Sequence, residues 1–377
     1  MVEFMDFVTD AVDKGKSVDI FYLDFSKAVD KVPHKRLVEK MKAKGIEAGV
    51  VRWIESWLSG RTQRVCIHGE KSGEGPVDSG VPQGTVLGPP LFTIYIDDLE
   101  VEIKRQQLDV KIVKFADDTK GGKVVVNTED RDKLQQALDG LCDWADKWGM
   151  SFNLEKCKVM HVGAHNPAFE YFMRGMRLEE TEEERDIGVI VTKNLKPSAQ
   201  CSKAAGRATA VLGQLRRNFH YRDRFTFLRL YKQYVRPHLE FSVPAWSPWL
   251  QGDKDTLEKV QEKAVKMVAG LKGGSYLEKC AELGLETLEK RRSDQDLALV
   301  YKFVTKSDGQ ALFSRQDGAR TRQAAGGHGL TVQYARTDPR KYSFAVRTID
   351  SWNRLPERVK AAETGESFKR RLRGKSE

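Results

Sequence analysis

Three aspartates are the residues whose type and spacing make them the best candidates for catalysis in this sequence. Asp117 and Asp118 stand side by side in VKIVKFADDTKGGKVVV, between two apolar, β-branched runs, and Asp24 follows the apolar stretch SVDIFYL. We expect the KGGK after the pair to turn the chain back and to leave both carboxylates at a hairpin tip. If the strand that ends at Asp24 lies in the same sheet, the three carboxylates converge.

Such a concentration of negative charge is costly unless it binds cations, and oxygen ligands suit Mg²⁺. Two Mg²⁺ ions held about 4 Å apart can activate an attacking hydroxyl and stabilise a leaving pyrophosphate. Three alternatives stay open at this point. Aspartates are common in plain turns, and clustered carboxylates also serve metal-dependent hydrolysis. The stretch YIDD (Tyr95–Asp98) offers the same letters, at what we expect to be a helix end.

The spacing of apolar residues predicts the elements that would position these carboxylates. Strands are predicted for SVDIFYLDFS, TQRVCIHG, the two arms of the Asp-Asp hairpin, KCKVMHVG and RDIGVIVT. Helices are predicted from Phe4 to near Gly15, on both sides of Gly45, over LFTIYIDDL, from Arg131 to Trp148, through most of 197–306 and around FAVRTIDSWNRLP. The first half of the chain mixes strands with helices and the second half is helical. This order favours an α+β domain followed by an α-domain.

The charge of the chain is concentrated in one segment. The 377 residues suffice for two or three domains and carry a net charge of +10. Ten Lys and Arg residues stand against two acids in Lys196–Glu240, interleaved with aromatics, a composition that suits a polyanion. An ordinary basic surface helix is the alternative. The candidate nucleic-acid contacts are Lys203, Arg207, Arg216, Arg217, Arg222 and Arg224.

The cysteines and the N-terminal residues bear on compartment. Five cysteines are scattered with no C-x-x-C spacing, so neither a disulfide framework nor a zinc knuckle is indicated. Glu3, Asp6 and Asp10 do not fit a signal peptide, and no apolar run is long enough to span a bilayer. We therefore expect an intracellular protein, nuclear or cytoplasmic, without membrane contact.

Ordered motifs resemble those of one polymerase family. YLDFSKAVDKVPHKRLVEKM, SGVPQGTVLGPPLFTIYIDDL, VKFADDTKGG and WGMSFNLEKCKVMHVG occur in this order, and together they resemble the reverse transcriptases of non-LTR (LINE-type, jockey-like) retrotransposons. The resemblance implies a polymerase palm, a ferredoxin-like antiparallel sheet with helices, then an α-helical thumb and a C-terminal region. It divides the chain into a palm (1–165), a primer-grip-like strand region (166–195), a thumb-like domain (196–306) and a basic C-terminal region (307–377).

The resemblance also implies roles for individual residues. The activity would be RNA-directed DNA synthesis, with an RNA template, a DNA primer and dNTPs as partners. Asp24, Asp117 and Asp118 would bind two Mg²⁺ ions, or Mn²⁺, together with the backbone carbonyl of Phe25, and Lys156 would protonate the leaving pyrophosphate as a general acid. The residues implied at the nucleotide site are Phe25, Val29, Gly80, Pro82, Gln83 and Gly84.

Departures from the family pattern qualify these expectations. The family has an endonuclease and a basic fingers segment ahead of the first aspartate motif, so we expect an N-terminally truncated polymerase. A catalytically inactive remnant that only binds nucleic acid is the alternative function, whereas an RNA-directed RNA polymerase is disfavoured by the resemblance. Val29 replaces an aromatic residue that screens out the ribose 2′-hydroxyl, and Pro90 replaces a helix former, so that the two prolines delay the following helix.

Overall fold

The chain forms two compact units. The computed structural model describes residues 1–271, 273–305, 312–315 and 328–374. One unit, here called the sheet unit, is Lys16–Glu182, and the other, the helical unit, combines Met1–Gly15 with Glu183–Glu377. The four segments implied by the resemblance stay predictions beside these units, and the parts of them at 306–311, 316–327 and 375–377 lie outside the described residues.

Short strands and one central sheet make up the β-structure. The strands are β1 (Ser17–Leu23), β2 (Thr62–Gln63), β3 (Cys66–Ile67), β4 (Glu70–Lys71), β5 (Gly75–Pro76), β6 (Lys111–Phe115), β7 (Asp118–Val125), β8 (Lys158–Val162), β9 (Phe172–Met173), β10 (Met176–Arg177), β11 (Glu179–Glu180), β12 (Glu183–Asp186) and β13 (Val189–Thr192). The central sheet has the order β11-β8-β1-β7-β6. Its neighbours are antiparallel except for the parallel pair β11 and β8.

Helices separate the strands along the chain and dominate its second half. They are α1 (Val2–Asp13), α2 (His34–Ala43), α3 (Ala48–Leu58), α4 (Gly88–Ile96), α5 (Val101–Arg105), α6 (Thr128–Trp148), α7 (Ser198–Asn218), α8 (Arg224–Leu230), α9 (Arg236–Glu240), α10 (Gln251–Lys266), α11 (Tyr276–Glu282), α12 (Leu288–Thr305), α13 (Asp338–Lys341), α14 (Phe344–Asn353), α15 (Glu357–Lys360) and α16 (Gly365–Leu372). The predicted mixture of a sheet with many helices is confirmed.

Strand β1 lies at the centre of the sheet unit. All seven of its residues are buried, which explains its nearly continuous apolar run. Asp19 is the charged exception in this run and is fully buried. Its carboxylate accepts hydrogen bonds from Tyr171 Oη at 2.6 Å and from Asn166 Nδ2 at 2.7 Å. His161 Nδ1 lies 2.7 Å from Asp19 Oδ1. These partners offset the cost of burying a carboxylate. The same carboxylate and burial raise the pKa of Tyr171 above its ordinary value, with burial the larger cause.

The hairpin that contains the aspartate pair forms, but its turn is not where the sequence predicted it. β6 and β7 pair up to Phe115 and Asp118, so the turn residues are Ala116 and Asp117, while KGGK lies inside β7. The expectation that KGGK turns the chain is therefore wrong. Gly121 stands directly opposite Phe21, and a Cβ on it would lie 2.3 Å from Cζ of that ring. The glycine makes room for the ring, which is a packing requirement rather than a turn signal.

Three further expectations need correction. TQRVCIHG is not one strand, because it contains β2 and β3, which pair with β5 and β4 in separate two-stranded sheets. RDIGVIVT forms a hairpin of β12 and β13, with Ile187 and Gly188 in left-handed conformation at its turn. The two prolines do not delay α4, which begins at Gly88 with proline in its first turn, where the missing N–H costs no hydrogen bond.

The helical unit has two hydrophobic clusters. One is built from α7 to α12, and the other joins α12 to the helices near the C-terminus. Helix α1 belongs to this unit, where Arg340 Nη1 of α13 donates to Asp6 Oδ1 at 2.6 Å. Among the described residues no helix has the length and apolar character needed to cross a membrane.

Candidate active site

The register of the sheet places two of the three predicted metal ligands opposite each other. β1 and β7 pair up to Leu23 and Thr119, so the next position along puts Asp24 across from Asp118. Directly opposed residues of an antiparallel pair have Cβ atoms about 4.5–5.5 Å apart. Asp117 follows one position further, in the turn. The strands β1 and β7 are neighbours, as the prediction required, and the sheet places the three residues at one end of them. Convergence of their carboxylates stays a prediction.

The turn that presents Asp117 is strained. Ala116 has a φ of +52°, in the left-handed region that costs a residue with a Cβ about 1–2 kcal/mol. A two-residue hairpin loop requires a positive φ at its first position, and here an alanine adopts it. Sequence reasoning missed Ala116, because the expected turn lay four residues later. Its conformation fixes the direction in which the chain presents Asp117.

The backbone around Asp24 is tied to the segment before β8. Asn153 N donates to the Asp24 carbonyl at 2.8 Å and Ser26 N donates to the Ser151 carbonyl at 2.8 Å. These two bonds flank the bridge between Phe25 and Phe152. Amide groups alternate in direction along a strand, so the Phe25 carbonyl faces away from Phe152, toward the β7 side of the sheet. That is the side of Asp117 and Asp118.

The ring of Phe25 anchors this backbone. It is 3% exposed and stacks on the ring of Phe152, with centroids 4.4 Å apart and planes at 21°. Phe25 therefore contributes its side chain to the core and leaves its carbonyl near the carboxylates. Ser26 and Asn153, which sequence reasoning did not single out, supply the bonds that hold it there.

Lys156 lies beside the first aspartate. Its Nζ is 3.2 Å from Asp24 Oδ2, and its side chain is 65% exposed. An exposed pair of this kind contributes about 0–1 kcal/mol, so the ammonium group can leave Asp24 at little cost. Its charge offsets part of the negative charge of Asp24, which the register places across from Asp118.

The oxygen atoms of Asp24, Asp117, Asp118 and the Phe25 carbonyl are of the chemical type that binds a hard divalent cation. Carboxylates and a backbone carbonyl provide the oxygen-only ligands that Mg²⁺ prefers. Among the described residues, however, no group of three or more His, Cys, Asp or Glu side chains is gathered closely enough to hold a metal ion. The Asp24 carboxylate is instead paired with Lys156. The backbone register places the three predicted ligands at one end of the sheet, but their side chains are not gathered around a common point.

The loop predicted at the nucleotide site docks on the segment after Asp24. Gly80 N donates to the Val32 carbonyl at 2.8 Å and Val81 N donates to the Val29 carbonyl at 2.9 Å. Gly80 has a φ of +92°, and a Cβ on it would lie 2.9 Å from the Cα and carbonyl oxygen of Asp30. Only glycine fits this close approach.

The other predicted loop residues are positioned by local bonds. Gln83 is exposed, and its Nε2 donates to Asp30 Oδ1 at 2.9 Å. The Pro82 carbonyl accepts from Thr85 Oγ1 at 2.7 Å, and Gly84 follows with a φ of +75°. The structure thus brings Gln83 and Gly80 to the segment that carries Val29, which is half-buried against the core.

The two aspartates of the YIDD stretch follow the end of α4 and have a structural role. Asp98 Oδ1 accepts from Lys40 Nζ at 2.5 Å and from Trp144 Nε1 at 3.0 Å. Asp97 pairs with Lys44. Lys40 is 5% exposed, and its burial lowers the pKa of its ammonium to about 8. The pair of aspartates therefore ties the end of α4 to α2 and α6.

The predicted nucleic-acid contacts lie on two helices of the helical unit. On α7, Arg207, Arg216 and Arg217 are exposed and Lys203 is half-buried. Arg222 and Arg224 lead into and begin α8. An open groove of about 650 Å³ adjoins them. Its lining residues are Arg224, Phe225, Leu228, Arg229, Lys232 and Gln233, two of them cations outside the predicted set.

Comparisons with known proteins identify the family that this chain resembles. The family described as reverse transcriptase (RNA-dependent DNA polymerase) matches residues 3–210. The RNA-directed DNA polymerase from mobile element jockey of Drosophila funebris is 26% identical over 277 residues, 71% of this chain and 30% of that protein. The probable RNA-directed DNA polymerase from transposon X-element of Drosophila melanogaster is 24% identical over 277 residues, 69% of this chain and 29% of that protein.

The match covers a limited part of these relatives, since the chain spans less than a third of their length. Among solved structures, apo telomerase from Candida tropicalis is similar with a TM-score of 0.45 and 12% identity, over 78% of this chain and 48% of that one.

Proposed function

This chain belongs to the reverse transcriptase (RNA-dependent DNA polymerase) family, and we propose that it is an RNA-directed DNA polymerase. It would transfer nucleotides from dNTPs to the 3′-hydroxyl of a DNA primer on an RNA template. The observation that supports this most is the register that sets Asp24 opposite Asp118, with Asp117 in the adjoining turn.

Two divalent cations, Mg²⁺ or Mn²⁺, would be held by Asp24, Asp117 and Asp118 together with the Phe25 carbonyl. When bound, such ions lower the pKa of an attacking hydroxyl and neutralise charge on a leaving pyrophosphate. The protein contributes the alignment, because the bonds of Ser26 and Asn153 fix the backbone of Asp24 and Phe25. The strained turn fixes that of Asp117.

Lys156 would hold the proton that the leaving pyrophosphate takes up. Its ammonium group lies at 3.2 Å from Asp24, so it is already within the site before substrate binds. Because the side chain is largely exposed, the ammonium can move from Asp24 to a phosphate oxygen while its stem stays in place. A positioned general acid contributes about 10²–10⁴-fold to a rate.

The loop at 80–84 would border the incoming nucleotide. Its docking on the segment after Asp24 links the position of Gln83 to that of Val29. Gln83 would face the nucleotide and template base after exchanging its bond to Asp30, and Val29 would lie beneath the sugar. Phe25, Gly80, Pro82 and Gly84 would shape the same surface.

The central sheet would serve as the palm and α7 to α12 as a thumb. The exposed cations of α7 and α8 would contact the phosphate backbone of the template–primer duplex. Binding of this kind tolerates any sequence and weakens as salt rises. The aromatic Phe225, 77% exposed within the groove of α8, would contact the sugar or base edges.

A protein that binds nucleic acid without synthesis is the second candidate. The observation that favours it is the Asp24 carboxylate, which pairs with Lys156 while the described residues hold no gathered metal-binding group. This protein would bind through the cations of α7 and α8 and would leave the carboxylates unused.

Primer extension on an RNA template with dNTPs and Mg²⁺ separates the two candidates. The parent protein is compared with Asp118→Asn, which keeps the side-chain shape and removes the charge. Asp97→Asn is the matched control. Asp97 belongs to the second Asp-Asp pair of the chain, and it pairs with Lys44 on the surface. Extension by the parent and by Asp97→Asn, and none by Asp118→Asn, is the expected result. Salt-sensitive binding by all three without extension would favour the second candidate.

A further inference from the structure

The loop predicted at the nucleotide site is anchored at both of its ends. At its start, two amides donate to carbonyl groups of the segment at 29–34, Gly80 N at 2.8 Å and Val81 N at 2.9 Å. Just after its end, Thr85 Oγ1 accepts from Gly88 N at 3.1 Å, and Gly88 begins α4. The residues between these anchors are exposed or half-buried, so the anchors decide where they lie.

The side chain of His34 adds a hydrogen bond in the opposite direction. Its Nε2 lies 2.8 Å from the carbonyl oxygen of Gly80. A carbonyl oxygen can only accept a hydrogen bond, so the ring donates through Nε2–H, whichever charge it carries. Among the described residues, every other hydrogen bond between the loop and the segment at 29–34 is donated by the loop. His34 is therefore the group through which that segment holds a carbonyl of the loop.

Gly80 is a residue whose backbone needs such a restraint. Glycine populates more backbone conformations than any other residue, and Gly80 adopts a φ of +92°. Its amide is held by the Val32 carbonyl and its carbonyl by His34. The peptide groups on both sides of the glycine are thus fixed by hydrogen bonds. Without the bond from His34, the peptide group that leads into the loop would lose one of them.

The helix that carries His34 does not account for a histidine at this position. His34 is the first residue of α2, whose first turn contains no acidic residue, and Lys35 and Arg36 follow it. Positive charge is favoured at the C-terminal end of a helix rather than at its N-terminal end. His34 is half-buried, and its ring bonds to Gly80. The contact with the loop, rather than the helix, therefore explains the donor at this position.

We propose that His34 is a positioning residue for nucleotide binding, which holds the loop in place through the Gly80 carbonyl. The inference rests on the proposed function, in which this loop borders the incoming nucleotide. Two residues, Val81 and Pro82, separate Gly80 from Gln83, and proline restricts the backbone between them. A displacement of the Gly80 peptide group is therefore passed on to Gln83. His34 acts through the loop and makes no contact with the nucleotide in this account.

Steady-state primer extension on an RNA template tests this role in the parent, in His34→Phe and in His34→Gln. Phenylalanine keeps a ring and removes the donor, whereas the glutamine amide brings an N–H to a similar reach. The loss of one hydrogen bond corresponds to about three- to tenfold in an equilibrium constant. The KM for dNTPs should rise by this factor in His34→Phe with kcat unchanged, and His34→Gln should restore it. An unchanged KM in His34→Phe, or no restoration by glutamine, would overturn the proposal.

A matched control and a melting curve separate positioning from simple stabilisation. Lys35→Gln changes the next residue of α2, which is exposed, and should keep the KM of the parent. If His34 only stabilised the fold, His34→Phe would melt at a lower temperature and would keep the KM of the parent. That combination would contradict the proposal.

Hydrogen exchange of the loop amides gives a second measurement that does not depend on synthesis. The amides of Gly80 and Val81 should exchange about three- to tenfold faster in His34→Phe than in the parent, with the amides of β1 as the reference for global unfolding. In His34→Gln they should exchange as in the parent. Equal rates in the parent and His34→Phe would refute the hold of His34 on the loop. Absence of extension by the parent would instead refute the proposed function, and the exchange rates alone would then decide whether His34 holds the loop.

Discussion

The buried ammonium of Lys40 should make the stability of the sheet unit depend on pH. Its Nζ lies 3.8 Å from the ring centroid of Trp148 and 4.5 Å from that of Trp144, and it bonds to Asp98 at 2.5 Å. Burial lowers its pKa from 10.5 to about 8, although the contacts with Asp98 oppose that change. The aromatic rings and one carboxylate do not fully replace the water that the ammonium loses.

The sign of the effect follows from the proton balance. Between the folded pKa and the unfolded one, the unfolded chain binds more protons at this lysine, so the free energy of unfolding rises with pH. A difference of one in pKa is worth about 1.36 kcal/mol. The difference of about 2.5 between the unfolded and folded pKa therefore changes the free energy of unfolding by about 3 kcal/mol in full. About 2 kcal/mol of this should appear between about pH 7 and about pH 9.5. Burial raises the pKa of the neighbouring Tyr95. Burial also raises the pKa of the thiols of Cys142 and Cys157 in the same unit, which opposes the effect of Lys40, so that effect is measured as a difference from a variant without the lysine.

Urea unfolding at several pH values measures the effect in the parent, in Lys40→Met and in Lys44→Met. Over this window the parent and Lys44→Met should gain about 2 kcal/mol relative to Lys40→Met, because Lys44 is a surface lysine that pairs with Asp97. Lys40→Met should lack the gain, since it has no proton to release. The same pH dependence in Lys40→Met and the parent would refute the argument.

Three further substitutions test the candidate site. Gly80→Ala should lower the free energy of unfolding by about 1–3 kcal/mol, because its Cβ would meet the Asp30 backbone at 2.9 Å. Gly84→Ala shares the left-handed strain but meets nothing within 4 Å, so an equal loss in urea unfolding would contradict the close-approach argument. Lys156→Gln should lower kcat of primer extension about 10²-fold or more with little change in KM for dNTPs, and an unchanged kcat would remove Lys156 from the chemistry. Val29→Phe should raise the ratio of dNTP to rNTP incorporation above that of the parent. A ratio equal to or below that of the parent would contradict the role of Val29.

The sequence predicted the central elements because their signals are local. The apolar run of β1, the helices on both sides of Gly45 and the 21-residue helix α6 all follow from periodicity. The predicted family resemblance is confirmed by the match over residues 3–210 and by similarity to polymerases of mobile elements. That resemblance, rather than spacing, assigned Lys156 to the site, and the structure places it beside Asp24.

The features that sequence reasoning missed depend on contacts between distant segments. Gly121 looked like a turn residue, whereas it makes room for the ring of Phe21 across the sheet. Arg292 stands in a charged helical run, EKRRSDQD, that is typical of an exposed face, and its burial is set by the packing of α12. Neither requirement leaves a periodic signal along the chain.

Local rules are broken together at the end of β1 and β7. An alanine adopts the left-handed conformation, the register continued by one residue places Asp24 across from Asp118, and a lysine from another segment pairs with Asp24. Each feature costs stability or contributes little to it. Strained or repelling groups that persist in a fold are commonly found where a ligand resolves the conflict. Under the proposed function, cations held by Asp24, Asp117 and Asp118 would offset the negative charge there and free Lys156, so that one binding event would account for the whole arrangement.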